Sequence, residues 1–164
     1  MNSIRATANT VLLASAIFGA AAVLAQAPAR PPIYGTAINV DGAKRIAAAS
    51  TAEARRSGLS MAVAVVDTAG QLIYFERMDD TQIGSVQVAV DKAKSAALFR
   101  RPTKVFNDLL AAGNTSVLAI SGAVPLDGGL PIVYDGKVVG AIGVSGGAPA
   151  QDAAVAKAGA DLPK

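Results

Sequence analysis

The sequence predicts an α+β protein with a five-stranded, mainly antiparallel sheet covered by helices on both faces, an α/β/α sandwich. Two pairs of apolar segments are each joined by a short turn sequence, which is typical of β-hairpins. Other segments have apolar residues at spacings of three and four, which is typical of helices. These segments lie before, between and after the two predicted hairpins. The 164 residues suffice for one domain, and a second would be too small to build its own core.

The first 27 residues are typical of a secretory signal peptide. Arg5 supplies a basic start, residues 11–24 are apolar, and Ala25-Gln26-Ala27 gives an A-x-A cleavage site. The apolar run is shorter than the ~20 residues that a transmembrane helix needs. We therefore expect a periplasmic or secreted protein with no membrane span after cleavage.

Two segments follow the predicted cleavage site. Residues 28–37 contain three prolines and predict a flexible tether, and residues 38–164 predict the single folded domain. Removal of Arg5 with the leader lowers the formal charge from +3 to +2. This charge is small and dispersed, and aromatic residues are sparse, so we expect no nucleic-acid partner.

The composition excludes several kinds of catalytic and metal site. The chain has no His and no Cys. Ser-His-Asp and Cys-His systems, thiolate chemistry and almost every zinc site are therefore excluded. The acidic residues are scattered apart from Asp79 and Asp80, and we expect no metal site.

A helix and a hairpin come first after the tether. Residues 41–57 predict a helix that is capped by Asp41 and ends before Gly58. Residues 61–67 form an apolar, β-branched run, which predicts a strand covered on both faces. In residues 71–77, successive side chains point to opposite faces, which predicts a second strand. The two strands are expected to form a hairpin, because the intervening Asp-Thr-Ala-Gly is a turn sequence.

A long helix over residues 81–101 follows, and Pro102 ends it. Its apolar stripe, which we expect to face the sheet, consists of Ile83, Val86, Val90, Ala93 and Ala97. A helix over residues 104–111 and a short third strand over 117–121 come next. A hairpin over 130–134 and 137–145 follows, around an Asp-Gly turn, and a last helix begins near Pro149.

The run VVDTAGQLIYFERMDD, followed by DKAKSAALFRRPT and GGLPIVYDGKVVGAIGVSGGAPAQDAAVAKAG, resembles the GlcG/HbpS-like family, often called the haem-degrading-domain family. The resemblance covers nearly all of the chain after the tether. It implies a profilin-like fold, assembly into homo-oligomers, and haem or a related tetrapyrrole as the ligand. Several family members are thought to ligate iron through His. Because this chain has none, we expect haem binding without His ligation and infer no haem-degrading activity.

Two candidate ligand-binding residues lie between the first hairpin and the long helix. Met78 is the best placed iron ligand, although a thioether at a strand end also fills cores. Asp79, next to Asp80, is a candidate metal ligand or acid–base group. The alternative is that both acids satisfy amide groups at a helix N-terminus.

Two candidate cations lie on the long helix. Lys92 stands among the small residues Ser85, Ala89 and Ala96, where it could meet a ligand carboxylate or an acidic group of a neighbouring subunit, or stay solvated. Arg101, with Arg100, could bind an anion, or it could offset the dipole at the helix end.

The remaining candidates lie in two glycine-rich segments. The amide groups around Gly129, with Pro131 beside them, and those at Ser145 and Gly146 could bind an anion. The alternative for both segments is a tight turn packed under the sheet.

These observations lead to three functional hypotheses. The first is an exported, oligomeric protein that binds a small molecule, with haem or a related tetrapyrrole as the ligand. The second is a cofactor-free lyase or isomerase that acts on a small carboxylate, with Lys92 or Asp79 as the proton carrier. The third is a purely structural partner protein.

Overall fold

The computed structural model describes residues 30–162, so the predicted signal peptide lies outside the described residues. The helices and strands are, in chain order, α1 (Val40–Arg56), β1 (Ala62–Val66), β2 (Leu72–Arg77), α2 (Gly84–Phe99), α3 (Lys104–Ala111), a 3-10 helix (Thr115–Ala119), β3 (Gly129–Tyr134), β4 (Lys137–Ser145) and α4 (Pro149–Ala160).

The strands form one sheet in the order β2-β1-β4-β3, and every neighbouring pair is antiparallel. The α+β class and both predicted hairpins are confirmed. The described residues contain four strands, however, and not the five predicted. Residues 117–121 were expected to be a strand, but Thr115–Ala119 is a 3-10 helix. Asn114 begins it by accepting a hydrogen bond from the Ser116 backbone N–H, at 3.2 Å.

The core consists of two layers, one on each face of the sheet. Strand β1 is buried along its whole length, as its apolar sequence predicts. Met61, Val63 and Val65 pack with side chains of α1 and α4 on one face. Ala62, Ala64 and Val66 pack with α2 on the other face. The sheet is thus covered by helices on both sides.

The face that α2 turns to the sheet differs from the predicted stripe. Ala93 and Ala97 are buried as expected, but Ile83 is 81% exposed and Val86 and Val90 are only partly buried. The buried residues belong largely to the small-residue face: Ser85, Ala89, Lys92 and Ala96. The helix lies very close to β4, since a Cβ added at Gly143 would meet the Ala89 carbonyl oxygen at 2.0 Å. Only small side chains fit in this layer.

Two local predictions have different outcomes. The β3–β4 turn at Asp135 and Gly136 has positive φ angles of 51° and 70°, as a tight Asp-Gly hairpin requires. The α1 cap was wrongly assigned. Asn39, and not Asp41, caps the helix, because the Gly42 N–H donates to the Asn39 Oδ1 at 2.9 Å.

Residues 32–38, called here the N-terminal strap, lie against β4. The Gly35 N–H donates to the Val138 carbonyl at 2.8 Å, and the Val138 N–H donates to the Ile33 carbonyl at 2.8 Å. The Ile38 N–H donates to the Val139 carbonyl at 2.7 Å. The prediction of a flexible tether over residues 28–37 therefore does not describe the strap, whose backbone is held by the sheet.

Candidate functional site

A groove of about 770 Å³ lies along the edge strand β3. We call it the β3 groove. The ends of α2 and α4 form its walls together with the strap. Its lining residues are Pro32, Arg100, Pro102, Leu130, Pro131, Val133, Tyr134, Asp135, Lys157, Ala160, Asp161 and Leu162. Most of these side chains are apolar, and charged groups from the helix ends join them.

The two cations of the β3 groove have different environments. Lys157 forms an ion pair with Asp161, the residue that follows α4. Arg100 donates from Nη1 to the Pro32 carbonyl oxygen at 3.1 Å, and its Cζ lies 5.1 Å from the centre of the Tyr34 ring. The Arg100 side chain is thus ordered by the strap rather than by a carboxylate.

Lys92, a predicted ligand contact, is an internal residue. Its Nζ donates to the Asp152 Oδ2 at 2.6 Å and to the Val144 carbonyl oxygen at 3.0 Å. The two side chains of the ion pair are only 3% and 4% exposed. Neither the expected surface cation nor the expected contact with a neighbouring subunit is available at this position, because the charge is already matched inside the protomer.

The glycine-rich segment before β3 makes room for this pair. A Cβ added at Gly128 would meet the Asp152 Cβ at 2.8 Å and the Lys92 Nζ at 3.0 Å. A Cβ added at Gly129 would meet the Lys92 carbonyl oxygen at 2.4 Å. Both glycines are buried, and the Gly129 N–H already donates to the Thr103 Oγ1 at 3.0 Å. The tight-turn alternative therefore describes this segment, and its amide groups are not open to an anion.

The second glycine-rich segment is also used by the fold. Ser145 is buried, and its hydroxyl donates to the Ser85 Oγ at 3.1 Å. A Cβ added at Gly146 would meet the Ser60 carbonyl oxygen at 2.4 Å. The Gly147 N–H donates to the Asp152 Oδ1 at 2.9 Å. These contacts fix the turn into α4.

Met78 and Asp79 lie at a different corner, in a smaller pocket of about 310 Å³ that also contains Arg55 and Glu76. Met78 is half-buried and packs against the α1–α4 side of the core. Asp79 is exposed. No group of three acidic residues within residues 30–162 is arranged to hold a metal ion.

The structure thus separates the predicted site residues. Pro131 lies in the β3 groove. Arg101 stands next to Arg100 but does not line the groove, and its Nε donates to the Phe99 carbonyl at 3.2 Å. The sequence did not indicate the groove residues Tyr134 and Lys157. They share the groove with Arg100 only in the folded chain, and no spacing in the sequence brings the three together.

Comparison with known proteins identifies the family of the chain. The family model described as "Haem degrading protein HbpS-like" matches residues 38–161. The chain belongs to this family. In the part that the structure describes, no helix is long and apolar enough to cross a membrane.

Relatives of this HbpS-like chain agree with the assignment. Protein GlcG of Escherichia coli K12 is 42% identical over 103 residues, which cover 63% of this chain and 77% of GlcG. A 15.0 kDa protein from the dhaT-dhaS intergenic region of Citrobacter freundii is 33% identical over 133 residues, covering 76% of this chain and 90% of that protein.

A solved structure shows that the fold is also shared. A double mutant of HbpS from Streptomyces reticuli superposes with a TM-score of 0.73 at 29% identity, covering 84% of this chain and 94% of HbpS. The resemblance to the family that the sequence motifs indicated is therefore confirmed, and so is the α+β class of the fold.

Proposed function

We propose that this chain binds haem or a related tetrapyrrole in the β3 groove, without an imidazole or thiolate ligand to iron. Membership of a family described as haem-degrading and HbpS-like is the observation that carries this proposal. The groove volume of about 770 Å³ falls within the ~300–1,000 Å³ that is usual for small-molecule sites.

The residues of the β3 groove fit such a ligand. Leu130, Pro131 and Leu162 offer apolar contact for a macrocycle, and charged side chains from the helix ends lie beside them. Tyr134 is 51% exposed in the groove, and a tyrosine hydroxyl is a known type of iron ligand. A bound haem would supply redox-active iron, and the chain would supply binding and orientation. Met78 lies outside this groove, in a pocket at another corner, and would not reach an iron bound in the groove.

The lyase or isomerase hypothesis has no observation in its favour. It assigned proton transfer to Lys92 or Asp79. The Lys92 amine is enclosed with Asp152, and Asp79 is exposed at another corner of the molecule. A general acid–base group has to reach the reacting atoms of a substrate, which a fully enclosed ion pair does not do.

Export and assembly belong to the same proposal. The basic start, the apolar run and the A-x-A site support cleavage after Ala27 and a periplasmic or secreted location. The family resemblance supports a homo-oligomer. Side chains that are exposed in the protomer, among them Ile83 at 81% and Leu118 at 64%, offer apolar surface for such contacts.

Titration of hemin into the full chain, followed by absorbance, tests the proposal. We expect saturable binding with a high-spin spectrum, and no bis-imidazole or thiolate signature. Met78→Leu should leave the spectrum and the affinity unchanged. Absence of saturation at tens of micromolar hemin would reject haem as the ligand.

A further inference from the structure

Arg100 is the cation of the β3 groove that is available to a ligand. Lys157 is paired with Asp161, whereas within residues 30–162 no carboxylate lies in ion-pair distance of Arg100. The remaining acidic residue of the groove, Asp135, belongs to the exposed β3–β4 turn.

The backbone places Arg100 at the end of α2 in an uncommon conformation. Its φ and ψ are 51° and 40°, in the left-handed region that residues with a Cβ rarely adopt. Pro102 prevents the helix from continuing, because its ring disfavours helical geometry at the preceding residue. The side chain of Arg100 leaves the helix axis at this point and joins the groove wall.

The strap then fixes the guanidinium group. The Pro32 carbonyl oxygen accepts from Nη1 at 3.1 Å, and the Tyr34 ring faces the Cζ at 5.1 Å. Tyr34 is itself held at both ends. Its backbone pairs with Val138 of β4, and its hydroxyl donates to the Ala97 carbonyl at the end of α2, at 2.9 Å.

A guanidinium group has five N–H donors in a planar fork, and the Pro32 carbonyl uses one of them. The remaining edge matches the two oxygens of a carboxylate. Because the strap orders the fork before a ligand arrives, less conformational entropy is lost on binding.

We infer that Arg100 binds a carboxylate of the ligand and that Tyr34 is the positioning residue that orients it. This inference rests on the proposed ligand site and adds the chemical group that the site recognises. The strap thereby becomes part of the binding site, although the sequence suggested only a tether.

The test compares hemin with hemin dimethyl ester, in which both carboxylates are neutral, as ligands of the full chain. Arg100→Gln should weaken hemin binding about tenfold, which is the effect of losing one charge-assisted hydrogen-bonded pair, and should leave ester binding unchanged. Tyr34→Ala should reduce the preference for hemin over the ester several-fold. Tyr34→Phe, which keeps the ring and loses the bond to Ala97, should have a smaller effect.

Two matched variants control for general damage. Arg101→Gln removes a neighbouring charge that does not line the groove, and Tyr74→Phe removes a tyrosine hydroxyl on β2. Both should keep the wild-type preference for hemin over the ester. A purely structural role of Tyr34 would lower hemin and ester binding equally and would overturn the inference.

Other outcomes separate this inference from the proposed function. Equal binding of hemin and ester by the wild type, with Arg100→Gln unchanged, would overturn the inference alone and leave haem binding in place. Absence of saturable binding of either compound would overturn both.

Discussion

The Lys92 ammonium lies 2.6 Å from the Asp152 carboxylate, and the two residues, 60 positions apart in sequence, connect α2 with α4. These helices belong to opposite faces of the sheet. The pair is enclosed by the sheet end and by the glycine-rich segment before β3. Lys92 therefore joins the two helical layers, and its charge is matched inside the protomer.

Removal of one partner should be strongly destabilising. Lys92→Met leaves the Asp152 charge buried without its partner, which typically costs about 3–5 kcal/mol. Asp152→Asn should have a similar effect, since it leaves the lysine unmatched. Urea denaturation of each variant measures the change in the free energy of unfolding.

The double variant supplies the control for this prediction. With no charge left to bury, Lys92→Met with Asp152→Asn should lose less stability than the two single losses added together. Lys104→Met breaks an exposed ion pair with Asp108 and should change stability little. If the loss of stability in the double variant equalled the sum of the two single losses, the charges of Lys92 and Asp152 would not compensate each other, and the prediction would be wrong.

The close approach of α2 to β4 gives a second stability prediction. A Cβ at Gly143 would meet the Ala89 carbonyl oxygen at 2.0 Å, so Gly143→Ala has to displace backbone. We expect a loss of about 1–3 kcal/mol or more. Gly84→Ala is the matched control, because its added Cβ meets nothing within 4 Å. Equal stability of the two variants would show that the helix can move away from the sheet without cost.

Assembly is tested by light scattering of the purified protein. We expect a mass several times that of the protomer. The small-residue face of α2, where Lys92 could have met a ligand or a neighbouring subunit, is not exposed, since Ala89 and Ala96 are fully buried in the protomer. Ala89→Leu should therefore lower the free energy of unfolding rather than dissociate an assembly. A stable, folded monomer from this variant would contradict that placement.

Export predicts a defined N-terminus. N-terminal sequencing of the protein recovered from the periplasm or the medium should begin at or near Pro28. Replacing Ala25 and Ala27 with bulky residues should block processing, because the cleavage site needs small side chains there. Recovery of soluble cytoplasmic protein with an intact Met1 would contradict the export proposal.

Features set by neighbouring residues could be predicted from the sequence. The turn at Asp135 and Gly136 was placed correctly because a tight hairpin requires positive φ angles, which this dipeptide tolerates. The buried strand β1 was also predicted, since a continuous apolar, β-branched run suits a strand covered on both sides.

Features set by distant residues could not be predicted. The side of α2 that is buried depends on Gly143, which lets the helix come close and selects small residues over the larger Val86 and Val90. The partner of Lys92 is a single aspartate in α4, and no local pattern connects the two. The strap resembles a tether in sequence because the prolines at and before its start conceal its pairing with β4.

The most direct test of the central claim is to block the β3 groove and measure hemin affinity. Ala160→Trp places an indole ring at a position that lines the groove, whereas Ala154→Trp places the same ring on an exposed position of α4 outside it. Both proteins should remain folded, as judged by their free energies of unfolding. The account predicts that Ala160→Trp weakens hemin binding at least tenfold while Ala154→Trp binds like the wild type. Unchanged hemin affinity in folded Ala160→Trp would contradict the β3 groove as the ligand site.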